Sequence, residues 1–200
     1  GGKNGSTHQS SGQPGLLLTM PGLNYLEPAD MEDLFNCFNF ALSSYERPTY
    51  VRLHPDKVER LPSAEPKNIS NYVVYEPKKK PIISLVGSGL AMKYATEAVS
   101  DLEREGVPTR LINVVGPKTL DDTFVEKLEK GVPVLTLFNG NSKVLESVVS
   151  SAIMRHPSAR PSRVYSHGFE YGTSGPVIDL LRYFGYDCNG IKQKIKSILE

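Results

Sequence analysis

Ile82-Ile83-Ser84-Leu85-Val86-Gly87-Ser88-Gly89 is the stretch on which the fold turns. Its apolar residues run almost without alternation and stop at a Gly-rich turn, the pattern of a strand buried on both faces of a sheet. Outward from it the chain alternates. A helix is predicted over residues 90–105, stopped by Gly106 at the C-terminal cap position. Strands are expected at 109–115, 132–138 and 163–165, with helices at 120–130 and 142–155 between them. In the second helix Val144, Leu145, Val148, Val149, Ala152 and Ile153 recur at helical spacing. Two more helices, about 176–184 and 189–199, close the chain, and Pro176 suits a first turn. Strand and helix in alternation predict right-handed crossovers, a largely parallel sheet and an α/β fold.

Upstream of this core, residues 55–80 carry Pro55, Pro62, Pro66 and Pro77 among many charges, with one short strand possible at 72–75. This reads as a connection. It sets the expected organisation: one part over residues 1–58, a linker over 59–77, and an α/β domain over 78–200. Within the first part, a short strand at 24–26 ends at Pro28. Asp30 reads as an N-cap, with Asp33 giving a weak capping box. Met31, Leu34, Phe35, Phe38 and Leu42 follow on one helical face at three-four spacing. Ser43-Ser44 ends that helix, and Thr49-Tyr50-Val51-Arg52-Leu53 reads as a strand. The first twenty residues, rich in Gly and Ser, are expected to be disordered.

The formal net charge is +1, so no electrostatic footprint points to nucleic acid or an anionic membrane. Lys78-Lys79-Lys80 lies between Pro77 and Pro81 and reads as solvated linker. No apolar run approaches the roughly 18 residues of a membrane span. The opening residues show neither a signal peptide nor an initiator Met. Cys37 and Cys188 are too few and too separated for a disulfide framework or zinc site, and are expected as free thiols in a reducing, cytoplasmic setting.

Gly87-Ser88-Gly89 invites a nucleotide reading, but the third Gly of a dinucleotide fingerprint is missing. No acidic residue ends the following strand. A structural strand-to-helix turn is the better reading. Tyr171-Gly172-Thr173-Ser174-Gly175-Pro176 is a second Gly-rich turn, for which helix capping is preferred to phosphate binding. His54, His156 and His167 have no metal-ligand spacing and read as surface or capping residues. His8, in the loop Gly5-Ser6-Thr7-His8-Gln9, stands apart. Imidazole suits proton transfer and hydrogen bonding to a substrate oxygen near neutral pH. Arg52 falls at a strand end, where parallel sheets gather functional groups. It could clamp a phosphate or carboxylate, or form a structural ion pair.

Taken together, Gly5-x-Thr7-His8-Gln9, Pro21-Gly22, Pro28-Ala29-Asp30 and Pro48-Thr49-Tyr50-Val51-Arg52 resemble the second half of the pyrimidine-binding domain of transketolase-like thiamine diphosphate enzymes. Val86-Gly87-Ser88-Gly89, Glu105-Gly106-Val107 and Phe169 to Pro176, with Tyr186 and Ile191, are similar to the C-terminal domain of the same family. The resemblance implies two-carbon ketol transfer between sugar phosphates, as in the pentose phosphate pathway, with thiamine diphosphate and Mg2+. It also implies a dimer or a split-enzyme partner subunit that carries the pyrophosphate-binding domain. 1-Deoxyxylulose-5-phosphate synthases and the beta subunits of 2-oxoacid dehydrogenases are alternatives within the superfamily, and a non-catalytic interaction protein is a third reading. By resemblance, His8 would lie over the reacting carbon and contact substrate and cofactor. Asn4 would contact a substrate hydroxyl, and Arg52 a substrate phosphate. No metal ligand is expected in this chain, because the cofactor-activating glutamate and the Mg2+ motif of the family belong upstream. Alone, the chain is expected to be inactive. It departs from the family at Asn4 and Gly12 and at Phe138-Asn139, where acidic residues are usual, and Gln13-Pro14-Gly15 is expected to disrupt a helix.

Overall fold

The structure, a computed structural model, describes residues 4–5, 8–44, 46–54, 59–157, 161–169 and 172–200. Ser6 and Thr7 of the Thr-His-Gln loop, Pro55, and Glu170-Tyr171 of the closing motif lie outside the described residues. In chain order the elements are α1 (Gln13–Thr19), β1 (Asn24–Leu26), α2 (Met31–Ser43), β2 (Thr49–Val51), β3 (Asn71–Tyr75), β4 (Ile83–Gly87), α3 (Ala91–Arg104) and β5 (Thr109–Val114). A short 3-10 turn (Pro117–Thr119) follows. Then come α4 (Asp122–Glu126), β6 (Val134–Leu137), α5 (Lys143–Arg155), β7 (Val164–His167), α6 (Val177–Tyr183) and α7 (Cys188–Leu199).

The quoted strand lies at the centre of a five-stranded sheet of order β3-β5-β4-β6-β7. β4 pairs in parallel with β5 and β6, and β6 with β7, while β3 is an antiparallel edge. Side-chain alternation along β4 divides the core. Ile83 and Leu85 face a cluster with Ala95, Val99 and Leu102 of α3 and Ile191 and Ile195 of α7. Val86 faces the opposite cluster, with Phe124 of α4 and Leu145 and Val149 of α5. Both faces are thus covered, which is why this strand tolerates so little polarity. Gly106 ends α3 at φ +78°, a left-handed position that costs Gly little.

β1 and β2 form a separate parallel pair, and α2 is their crossover. β3 lies inside the stretch read as linker, yet it completes the larger sheet. Tyr72 and Val74 are buried in its core, so the sheet begins before residue 78. Another expectation, that Gln13-Pro14-Gly15 disrupts a helix, is corrected. Residues 13–19 form a helix because Pro14 occupies its first turn, where a missing N–H costs nothing. The Met31, Phe35, Phe38 and Leu42 side of α2 faces outward, with Leu34 only partly covered. The buried side is Asp33 and Cys37, held against β3 and β5.

The N-terminal end of α2 explains that orientation. Asp30 caps the helix by accepting from Asp33 N at 2.9 Å. Asp33 Oδ2 reaches back to Ala29 N at 3.1 Å, one residue earlier than in a standard capping box. The same oxygen accepts from Tyr72 OH at 3.0 Å and Asn113 Nδ2 at 2.9 Å. One carboxylate therefore joins the helix start to β3 and β5. Asp30 in turn accepts from Lys67 Nζ and Leu61 N.

Candidate functional site

In the β1–β2 pair Leu26 lies opposite Val51, so the residues that follow, Glu27 and Arg52, leave the sheet side by side. Arg52 N donates to Leu26 O at 2.9 Å, and Glu27 N donates to Val115 O at 2.8 Å. The carboxyl end of β1 is thereby brought to that of β5. The Glu27 side chain is fully buried. Its Oε1 accepts from Arg52 Nη1 at 2.9 Å and lies 3.4 Å from His54 Nε2. Its Oε2 accepts from Tyr25 OH at 2.9 Å. Arg52 Nη2 donates to Asn139 O at 2.8 Å, just beyond β6, and the guanidinium lies 5.4 Å from the centre of the Phe138 ring. The ends of both sheets are joined through this one pair of charges.

Burial alone would raise the Glu27 carboxyl, but the Arg52 charge and hydrogen bonds from His54 and Tyr25 outweigh it and hold it below the usual range. Burial would likewise lower Arg52, and the adjacent Glu27 charge reverses that. Tyr25 is raised, first by burial and then by the Glu27 charge. Tyr186 is buried and raised well above the ordinary value, by burial first and the Glu27 charge second. Its hydroxyl has no hydrogen-bond partner among the described residues. The Gly-rich turn after β4 closes the cluster. Gly89 sits at φ +56°, and a Cβ there would come within 2.5 Å of Glu27 Oε1. The space over that turn is thus filled by protein. Ser88 Oγ also turns inward, to Val114 O at 2.8 Å, in keeping with a structural turn.

Arg52 stands at a strand end as expected, with two terminal nitrogens engaged by Glu27 and Asn139. Of its two readings, the ion pair is the one the geometry displays. His54 is corrected from surface residue to member of this cluster, with its side chain only 12 % exposed. Glu27, Tyr25 and Tyr186 went unnoticed as site residues. One signal could have found Glu27: it follows β1 as Arg52 follows β2, and parallel pairing sets such residues side by side.

His8 is exposed, its backbone N–H donating to Gly5 O at 3.1 Å, and Asn4 is exposed nearby in the chain. Gln9 Nε2 donates to Thr173 O at 2.9 Å, and a Cβ on Gly5 would meet Ser174 Oγ at 2.6 Å. The histidine loop and the closing Gly-rich turn, 164 residues apart, are therefore in contact. Asn141 N donates to Ser11 O at 3.2 Å. The histidine loop and Arg52 thus rest on the same β6–α5 loop, residues 139–141. Among the described residues no three His, Cys, Asp or Glu side chains converge as a metal site. Nor is any described helix long and apolar enough to cross a membrane. The described donor set does not fit the Mg2+ and diphosphate of the implied cofactor.

This mostly parallel α/β sheet flanked by helices is the fold of a transketolase C-terminal-type domain. Residues 72–191 match the family described as Transketolase, C-terminal domain. The chain belongs to that family, among the transketolase-like thiamine diphosphate enzymes. It is 27 % identical to 1-deoxy-D-xylulose-5-phosphate synthase of Chlorobium luteolum over 98 % of its length and 32 % of the relative's. It is 28 % identical to transketolase 7 of Craterostigma plantagineum over 98 % of its length and 29 % of the relative's. The chain spans about a third of the length of these relatives. In fold it is similar to the transketolase of Campylobacter jejuni, with a TM-score of 0.81 at 22 % identity over 98 % of this chain and 29 % of that one. A split-gene transketolase described as an inactive beta4 tetramer gives 0.74 at 21 % identity, over 96 % of this chain and 62 % of that one.

Proposed function

We propose that this chain is the C-terminal portion of a transketolase-like enzyme that transfers a two-carbon ketol unit between sugar phosphates. It works with a portion carrying the pyrophosphate-binding domain, in the same polypeptide or in a partner subunit. The observation that carries this reading is the Gln9–Thr173 contact, which sets the His8 loop against the closing Gly-rich turn beyond the strand ends. Thiamine diphosphate, held with Mg2+ by residues outside this chain, would supply carbanion stabilisation. The part of this chain is orientation and proton handling. His8 is exposed, and its ring can hydrogen-bond a substrate hydroxyl and exchange a proton with it. Asn4 adds a neutral donor and acceptor. Arg52 braces the strand ends through Glu27 and Asn139. A substrate phosphate would have to share it with Glu27, whose charge cancels much of its pull.

The test is a complete assembly supplied with a ketose phosphate donor, an aldose phosphate acceptor, thiamine diphosphate and Mg2+. Ketol transfer is expected, and His8→Ala should lower kcat by about 100-fold or more. Turnover unchanged by His8→Ala would remove His8 from the site. Pyruvate with glyceraldehyde 3-phosphate as the preferred pair would favour a 1-deoxyxylulose-5-phosphate synthase instead.

A further inference from the structure

The chain around His8 is pinned on both sides of it. Before it, Gly5 lies at φ +74° against the closing Gly-rich turn, where a Cβ would meet Ser174 Oγ at 2.6 Å. Directly after it, Gln9 Nε2 donates to Thr173 O at 2.9 Å. Further on, Ser11 O accepts from Asn141 N at 3.2 Å. Between the last two contacts Ser10 stands at φ +46°, and no other non-glycine residue among the described ones has a positive φ. A side chain at such an angle is strained, and the conformation persists only where the surroundings over-determine it. Of the two hydrogen bonds that flank Ser10, only that of Gln9 is made by a side chain. Its Oε1 is buried without a partner among the described residues, so this amide is held at its donor end alone.

We propose that Gln9 is a positioning residue for His8. Its side chain ties the backbone next to the histidine to Thr173, and so fixes the direction in which the imidazole is presented. The closing turn, 164 residues away in the chain, thereby takes part in proton handling without touching the substrate. This rests on the ketol-transfer reading of His8 given above. Without the Gln9 bond, Ser10 is released to relax toward an ordinary negative φ, and His8, two residues earlier, swings with it. Proton transfer punishes such a swing, because a misplacement of about 1 Å costs about 100-fold in rate. The loss falls on kcat more than on KM, since the aim of an acid-base group matters most while the proton is in flight.

Gln9→Met keeps the length of the side chain and removes the donor, and two readouts follow from it. The first needs no activity. In NMR spectra of the 200-residue protein, the ring signals of His8 should broaden or double in Gln9→Met. Those of His167, bonded to Gly185 O in the larger sheet, should stay in place. The second uses the complete assembly with a ketose phosphate, an aldose phosphate, thiamine diphosphate and Mg2+. There Gln9→Met should lower kcat at least about 10-fold while KM for either sugar changes less than about threefold. Gln9→Lys, whose ammonium group can donate to the same carbonyl, should recover most of that kcat. If Gln9→Met loses its fold, Gln9→Glu, which is equally long and also lacks the donor, gives the same comparison. Unchanged His8 ring signals overturn the proposal. So does a raised KM at unchanged kcat, which would make Gln9 a substrate contact, or an equal loss in Gln9→Met and Gln9→Lys, which would make it packing. Failure of the underlying reading shows elsewhere, as turnover unchanged by His8→Ala.

Discussion

Acidification should make this protein more stable before it makes it less so, and Asp33 is the reason. Its side chain is buried, and burial first, with the neighbouring Asp30 charge second, pushes its carboxyl up to about 6. Hydrogen bonds from Ala29 N and Tyr72 OH and the Lys67 charge oppose the rise without cancelling it. In an unfolded chain an Asp titrates near 3.9, so between about pH 4 and 6 the folded state binds the additional proton. Stability then falls as pH rises through that window and grows as pH falls. The difference of about two units corresponds to about 3 kcal/mol between pH 7 and pH 4. The local geometry supplies the reason. Asp33 Oδ1 and Asn113 Oδ1 are both buried acceptors without a hydrogen-bond partner among the described residues, while Asn113 Nδ2 already donates to Asp33 Oδ2. A proton on Asp33 Oδ1 turns one of these unpartnered acceptors into a donor and removes the buried charge. Asp33→Asn places a permanent N–H group there. It should lose no stability at pH 7 and should flatten the profile between pH 4 and 7. Urea denaturation midpoints of the unaltered protein and the variant across that range are the assay. A profile that falls monotonically below pH 7, or an Asp33→Asn variant weaker by 2 kcal/mol at pH 7, would refute the reasoning. Below pH 4 the sign reverses. Glu27 and Asp30 are held below their usual range, so their contributions are lost as they take up protons.

Three other changes test the buried cluster. Glu27→Gln leaves the largely buried Arg52 without its counter-charge and should cost about 3–5 kcal/mol, a fall in melting temperature of roughly 6–20 °C; calorimetry showing less than 1 kcal/mol would deny the pair its structural role. Replacing both partners, Glu27→Gln with Arg52→Met, should recover much of that loss, since the cost comes from an orphaned charge. Gly89→Ala combines a left-handed backbone with a collision at Glu27 and should destabilise by about 1–3 kcal/mol, read from the urea midpoint, whereas an unchanged midpoint would show that Glu27 is free to move.

Much of the fold was legible because local chemistry and tertiary context agree. The apolar strands at 83–87 and 134–137, the glycine after α3 and the capping aspartate before α2 each state their role within a few residues. The candidate site was less legible. His8 and Arg52 were visible as residue types in suggestive places. Glu27 and His54 carry no local signature, and β3, legible as a short strand at 72–75, gave no sign of the sheet it joins. Each acquires its role from a partner far along the chain: Glu27 from Arg52, 25 residues away, and Arg52 from Asn139, 87 residues away. α2 shows the same limit in another form. Periodicity located its apolar stripe but not the direction it faces, because the buried side was fixed by Tyr72 and Asn113 reaching for Asp33.

By itself the sequence determined the α/β alternation, the sheet covered on both faces, and the family motifs at its two ends, since these rest on periodicity, turn chemistry and short spacings. Only the tertiary structure decided that Arg52 is neutralised by Glu27, that the histidine loop leans on the closing Gly-rich turn, and that the apolar side of α2 is left in the open. Those outcomes depend on which distant groups desolvate one another, and burial decides the strength of a charge or the exposure of a helix face only after the chain has closed around it.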